Sequence, residues 1–275
     1  MSIDEYVQTS DALFHYTKTS IVIEHILHAK KFKLSLLKDT NDPREYKFKI
    51  FNTAGISLDP TVTRELSNKA QTVIDRILRC EYRVMSFCSN QKPTLILSDG
   101  NSVEDVHYYS QGWDKSRMWS QYGENHRGIC LVFSKEELKK TFDERQVQIK
   151  KHEANYVKYL QQDGFDWGTG TLDGNRLESE GVEAYLFNHI MENSEGFFFR
   201  KHIDYRDEAE FRVVVFDPEK KLECIDISTS LKGVIVGDRT PEPYIPLINK
   251  MCKDIKVESR KAYWSRGKLH LLTCE

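Results

Sequence analysis

Apolar positions along the chain follow two periods. In "LFHYTKTSIVIEHIL", Leu13 and Phe14 begin an apolar run that predicts a strand, and Thr19 or Ser20 stands where a helix N-cap belongs. Ile23, Ile26, Leu27 and Ala29 then mark the apolar face of a short helix. His15, Tyr16 and Thr17 therefore fall at a strand-to-helix junction, where side chains and backbone amides can face a ligand. "KKFKLSLLKDTNDPREYKFKIF" predicts a short strand, a loop, and a helix opened by Asp42 with Pro43 at its first position. In "TVTRELSNKAQTVIDRILRC", Leu66, Ala70, Val73, Ile74, Ile77 and Leu78 recur at helical spacing. "EYRVMSFCS" is then a strand.

From 90 to 110 the pattern fades into a polar surface loop or insertion, and 161–176, ending in the glycine-rich "GTGTLDG", reads the same way. Between them, "SRMWSQYGENHRGICLVFSKEEL" predicts a short helix capped by Ser116, a turn from Gly123 to Gly128, and the strand "GICLVF". Ser134 and Glu137 then form a capping box for the next helix. A long helix is expected from about Glu178 to Arg200. Strands dominate afterwards in "AEFRVVVF", "LECIDI", "LKGVIVG", "IKVES" and "LHLLT", with one helix after "TPEPY". Helices thus gather in the N-terminal part, without regular βαβ alternation. The order predicts one α+β domain over 1–275 and argues against a doubly wound parallel sheet.

Composition narrows the setting. Hydrophobic residues at 39% and charged residues at 30% describe a globular chain, and a net charge of -2 argues against a general nucleic-acid coat protein. The six cysteines lack CxxC spacing, and most lie in apolar runs such as "MSFCS" and "GICLVF". Reduced thiols are expected there, not a disulfide framework or a zinc ribbon. The N-terminus has no cationic region leading into an apolar stretch, and no apolar run has the length of a membrane span. A cytoplasmic protein without membrane partners is the expectation.

Familiar motifs are mostly missing. Gly168, Gly170 and Gly174 do not fit GxGxxG, and there is no GxxxxGK[ST], GxSxG or HExxH. His126, His152, His189 and His202 show no metal-binding spacing, so no metal is expected. "YRDEAEFRVVVF" says more. Phe211, Val213 and Val215 line one strand face, and with the register extended back Glu208, Glu210 and Arg212 share the other. Two carboxylates so close repel, which separates their pKa values unless the arginine holds them down. The plainer reading is an ion pair on a solvated strand edge. The functional one is a carboxylate placed to stabilise the oxocarbenium-like state of glycosyl transfer.

Five pieces in order, "LFHYT", "NDPRE", "SFCS", "MWSQYGENHRGICLVF" and "DEAEFR", resemble a widespread bacterial family described only as a domain of unknown function. The likeness runs from about Leu13 to Phe216. That family is related to the ADP-ribosyltransferase-like superfamily, whose members split NAD at its nicotinamide bond. The resemblance implies a split, bent mixed β-sheet and NAD as substrate. It makes His15 the adenine-side ribose contact, Tyr16 a backbone clamp on the nicotinamide amide, and Glu210 the catalytic carboxylate. Glu208 would orient the acceptor and Ser86 would brace the nicotinamide pocket. Tyr122 or Tyr108 would stack on the ring, although Trp119 and Tyr122 also suit plain packing. Tyr16 replaces a glycine found in many transferases.

Around these residues, Thr17 and Asn41 are candidate NAD contacts, Arg212 the partner of Glu210 or Glu208, and Lys201 and Arg206 candidate pyrophosphate ligands. His126 suits a turn or an acceptor contact. Carried over, the activity is ADP-ribosylation of a macromolecule by a toxin or antiphage defence effector, held in check by an antitoxin or inhibitor protein. RNA is the favoured acceptor, because "KVESRKAYWSRGK" mixes Lys256, Arg260, Lys261, Arg266 and Lys268 with Tyr263 and Trp264. A strand hairpin with solvated charges explains that mixture equally well. Two rivals to transfer are a binding module that kept the fold and an NAD glycohydrolase.

Overall fold

A computed structural model describes residues 1–47, 52–54, 60–108, 111–144, 151–160 and 170–274. Alternation along Ala12–Thr17 makes that strand the hinge of the architecture. Leu13 faces one apolar cluster with Met85, Phe87 and Leu131, while Ala12, Phe14 and Tyr16 face another with Trp113, Trp119 and Val132. A strand buried on both faces belongs inside a sheet.

The main sheet is mixed. In spatial order it runs Lys268–Thr273, Glu258–Ser265, Leu231–Val236, Ile129–Ser134, Ala12–Thr17, Tyr82–Ser89, Glu210–Phe216 and Lys151–Tyr156. Leu231–Val236 and Glu258–Ser265 pair in parallel, joined by the helix Tyr244–Asp254, and the other neighbours are antiparallel. Ala12–Thr17 pairs with Ile129–Ser134 along its whole length, but meets Tyr82–Ser89 only at Leu13↔Ser89 and Phe14↔Cys88. On the same edge of Tyr82–Ser89, Ser35–Leu36 pairs with Val84 and Arg83. The sheet is therefore open beside Met85, Ser86 and Phe87. A four-stranded sheet orders Arg200–His202, Lys158–Leu160, Thr94–Ile96 and Ser102–Glu104. The long helix Pro60–Cys80 buries Ala70, Ile74, Ile77 and Leu78 against Tyr82, Val84 and the helix Val182–Glu192.

Several sequence expectations need correction. The N-cap before Thr19 is Lys18, and the Thr19 hydroxyl instead donates to the Arg127 carbonyl at 2.7 Å. Its helix, Thr19–Ile21, continues as a π-helical turn over Val22–Leu27. Asp42 does cap, accepting from the Arg44 N–H, but the helix it opens is a single 3₁₀ turn, Pro43–Glu45. Lys115, not Ser116, precedes the helix Ser116–Gln121.

The 90–110 insertion carries two strands of the smaller sheet, with 109–110 outside the described residues. Of 161–176, residues 161–169, including Gly168, lie outside the described residues, while Thr171–Asp173 pairs with Asn52–Ala54. The single helix expected over 178–200 is three: Gly174–Glu180, Val182–Glu192 and Ser194–Phe198. Gly181, at φ +82°, breaks the first junction in a backbone conformation that glycine adopts without strain. Helices are spread along the chain and do not gather near its start.

Candidate functional site

The end of the Glu210 strand is built by a kink. Ile203–Glu208 is a 3₁₀ segment, Ala209 adopts a left-handed φ of +42°, and the strand Glu210–Phe216 begins immediately after. Glu208 therefore does not lie in strand register with Glu210 and Arg212, yet the kink turns both carboxylates to one cation. Lys201 Nζ, on Arg200–His202, lies 2.7 Å from Glu208 Oε2 and 2.8 Å from Glu210 Oε2. Neighbouring Tyr159 accepts the Glu210 N–H on its hydroxyl at 2.9 Å. The small sheet thus delivers Lys201 and Tyr159 to the strand start.

Glu210 and Arg212 are 2% and 1% exposed, which removes the solvated-edge reading. Arg212 Nε donates to Glu210 Oε1 at 2.7 Å, and a second guanidinium nitrogen to Oε2 at 3.1 Å. The same guanidinium donates to the Phe198 carbonyl and to Glu45 Oε1. Burial opposes ionisation of Glu210, but Arg212 and Lys201 outweigh it and hold the carboxyl far below the usual carboxylate range. Glu208 goes the other way. Its burial raises the pKa despite Lys201 and a 2.8 Å hydrogen bond from the Tyr122 hydroxyl. Lys115, 4% exposed, braces this turn by donating to the Glu208 carbonyl at 3.0 Å, and burial lowers its own pKa.

A cavity of about 190 Å³ opens where the sheet is split. Glu45, Glu208, Glu210, Lys201 and Arg212 form its charged end; Phe14, Phe32, Met85, Phe87 and Met118 supply apolar wall. His15 crosses the split. Its Nδ1 lies 3.0 Å from the Ser86 carbonyl, and its ring meets Phe32 edge-on at 4.6 Å. A carbonyl only accepts, so Nδ1 carries the hydrogen and Nε2 remains an acceptor. Burial lowers the His15 pKa, favouring the neutral ring.

The cavity gathers most of the residues singled out from sequence: His15, Tyr16, Asn41, Ser86, Tyr122, Glu208, Glu210, Arg212 and Lys201. Tyr16 does not fill it with its ring, which packs edge-on against Trp119 at 5.1 Å while its hydroxyl donates to the Gly112 carbonyl. Thr17 is not among the lining residues; it is buried opposite Ile129 at the far end of its strand. Trp119 is core, and Tyr108 lies outside the lining with its hydroxyl on the Asp207 carbonyl. Arg206 is half-exposed near Asp105. His126 belongs to a left-handed turn with Glu124 and Asn125. Sequence reasoning missed Glu45, although "NDPRE" contains it; a charged residue ending a one-turn loop gives no periodic signal of burial.

The C-terminal basic segment is a hairpin, Glu258–Ser265 and Lys268–Thr273, turning at Arg266 and Gly267. It divides the predicted mixture. Arg260 is committed to Asp4 and Glu258, and Trp264 packs towards the core, whereas Tyr263, Arg266 and Lys268 are exposed. Among the described residues no cluster of His, Cys, Asp or Glu could hold a metal, and no helix is long and apolar enough to cross a membrane.

Neither a curated protein nor a solved structure matches the chain. Residues 118–213, which carry Tyr122, Lys201, Glu208, Glu210 and Arg212, match a family model described as "Protein of unknown function (DUF2971)", and that match agrees with the resemblance read from the sequence to a bacterial family of unknown function.

Proposed function

We propose that this chain is an NAD-dependent ADP-ribosyltransferase acting on a macromolecule, with RNA as the favoured acceptor, and that it serves in the cytoplasm as a toxin or antiphage effector restrained by an inhibitor protein. One observation carries the reading: two carboxylates whose pKa values are driven apart meet His15 in the cavity of a split sheet. Such a divided pair is how acid–base roles are assigned within one site.

Glu210, held ionised, bonds the 2′-hydroxyl of the ribose beside nicotinamide and offsets positive charge developing on the sugar. The glycosidic C–N bond breaks with its electron pair passing to the nicotinamide nitrogen. An acceptor oxygen or nitrogen bonds to the exposed sugar carbon, and its proton passes to Glu208, whose raised pKa suits a base. Tyr122 orients Glu208, His15 offers Nε2 to a ribose hydroxyl, and the aromatic wall receives the departing ring. Exposed Tyr263, Arg266 and Lys268 would attract the polyanionic acceptor.

A second reading has its own support. Both oxygens of Glu210 already accept from Arg212, and Lys201 adds a third contact, an arrangement suited to a binding module that kept the fold. Mass analysis of NAD incubated with the protein and a cell lysate separates the cases. Adenine-labelled NAD should mark nuclease-sensitive material. Marked protein would move the acceptor class, free ADP-ribose alone would make the chain a glycohydrolase, and unconsumed NAD would leave the binding module.

A further inference from the structure

Two loops at one end of the main sheet play no part in that chemistry. Residues 123–128 lead into the strand Ile129–Ser134, and residues 237–243 follow Leu231–Val236. The Arg239 N–H donates to the His126 carbonyl and the Gly237 N–H to the Gly128 carbonyl, both at 2.9 Å. A Cβ on Gly237 would lie 2.3 Å from that His126 oxygen. The loops are thus interlocked backbone to backbone, and the side chains they display are held in place. They also reach both neighbours. The Thr19 and Thr240 hydroxyls donate to the Arg127 carbonyl at 2.7 and 2.8 Å, which ties the loops to the end of the strand that carries His15. On the other side, Glu258–Ser265 runs on beyond Lys261, its last pairing with Val236, and its Trp264 ring meets His126 at 6.1 Å. Tyr122, which bonds Glu208 in the cavity, immediately precedes the first loop.

The exposed side chains here are mostly basic. Lys18, Arg127, Arg239, Arg266 and Lys268 are all exposed, with Glu124, Asp238 and Glu242 as acidic neighbours in the same loops. Elsewhere Arg83, Arg212 and Arg260 are tied to carboxylates, whereas Arg127, Arg239 and Arg266 form no ion pair among the described residues. From the hairpin strand Glu258–Ser265 to Ala12–Thr17 is three strand spacings, roughly 15 Å. A row of guanidinium groups over that width suits successive phosphates, which the planar fork binds in bidentate fashion. Flat rings stand among the cations. His126 is half-buried with its ring parallel to Trp119 at 6.4 Å, and Tyr263 is exposed on the hairpin. Rings between cations favour unpaired bases, whose faces a duplex hides.

We propose that Lys18, Arg127, Arg239 and Arg266 form a preorganised track for the backbone of single-stranded nucleic acid, running across the sheet end from the hairpin to the cavity mouth. That the bound strand is the acceptor rests on the transferase reading; that the track binds it does not.

Fluorescence anisotropy of the full-length protein with a labelled single-stranded RNA oligonucleotide, without NAD and over a range of salt, tests this. Each phosphate contact adds about 0.7 to the slope of log K against log salt for a single strand. Arg127→Ala with Arg239→Ala should therefore flatten that slope by about 1.4 and weaken binding at low salt at least roughly tenfold, with the melting temperature unchanged. Should the double variant fail to fold, Lys18→Ala and Arg239→Ala, each alone, should flatten the slope by about 0.7. No binding by the wild type, an unchanged slope in these variants, tighter binding of the matching duplex, or preference for a polyglutamate peptide over RNA would each overturn the proposal. Track-dependent RNA binding without NAD turnover would sink the transferase reading alone. NAD turnover with RNA binding indifferent to these residues would sink this proposal alone.

Discussion

At the scale of single residues, the site is a contest between burial and charge. Glu210→Gln should lose on the order of a hundredfold or more in NAD turnover, as when a fixed electrostatic contact to a transition state is removed. It should also lower the melting temperature, because buried Lys201 and Arg212 lose a counter-charge, and breaking one partner from a buried pair costs about 3–5 kcal/mol. Full activity in this variant would end the assignment. Glu208→Gln should release nicotinamide while failing to label the acceptor, read by following both products in one reaction.

The divided pKa values also set an acid limit to stability. Glu210 has a folded-state pKa below its unfolded value, so its stabilising contribution is present above the usual carboxylate range, near 4.3, and is lost as pH falls below it. Glu208 is raised and contributes with opposite sign, disfavouring the folded state as pH rises from its unfolded value through its folded one. Denaturant titrations from pH 3 to pH 6 should therefore show an acid-side loss of stability that is flattened in Glu210→Gln. An unflattened loss would place the sensitive group elsewhere.

At the scale of elements, the cavity depends on the short register between Ala12–Thr17 and Tyr82–Ser89, and on the turn that holds the far end of the first strand. A Cβ on Gly128 would lie 2.3 Å from the Thr17 carbonyl oxygen and 2.8 Å from Gly123, both backbone. Backbone cannot rotate away as a side chain does, so Gly128→Ala should cost about 1–3 kcal/mol, with a fall of several degrees in melting temperature. An unchanged midpoint would mean that the turn relaxes freely. The elements most legible in the sequence were those with a clean period, such as Pro60–Cys80 and Glu210–Phe216. Elements whose order depends on partners far along the chain were not: Thr94–Ile96 and Ser102–Glu104 are three-residue strands with no periodic signature, stabilised by pairing with one another and with Lys158–Leu160.

At the scale of the molecule, the basic hairpin and the cavity occupy different parts of the sheet. Leu231–Val236 and Ile129–Ser134 stand between the hairpin and the first strand. An acceptor held by both would have to span that width. Lys261→Glu, Arg266→Glu and Lys268→Glu together should weaken RNA binding and labelling, reduce its salt dependence, and leave the melting temperature unchanged. Arg260 is left alone because it ties the hairpin to Asp4 in the N-terminal helix Ile3–Tyr6. Undiminished RNA labelling in this triple variant would remove the hairpin from acceptor recognition.

Local periodicity was enough to determine the helix Pro60–Cys80, the central strands, and the apolar face of Phe211, Val213 and Val215, because burial of one face repeats every two or 3.6 residues and is written in neighbouring positions; His15 lies within the strand Ala12–Thr17 and not at its end. The same locality limits it. Whether Glu208 and Glu210 share a face depended on the left-handed turn at Ala209, and which cation served them depended on Lys201 arriving from a separate sheet. Glu45 reached Arg212 from 167 residues away. Opposed pKa shifts, a lowered pKa at His15 and a buried Glu45 oxygen without a donor among the described residues arise from burial and from charges brought together across the chain, so only tertiary structure could decide them.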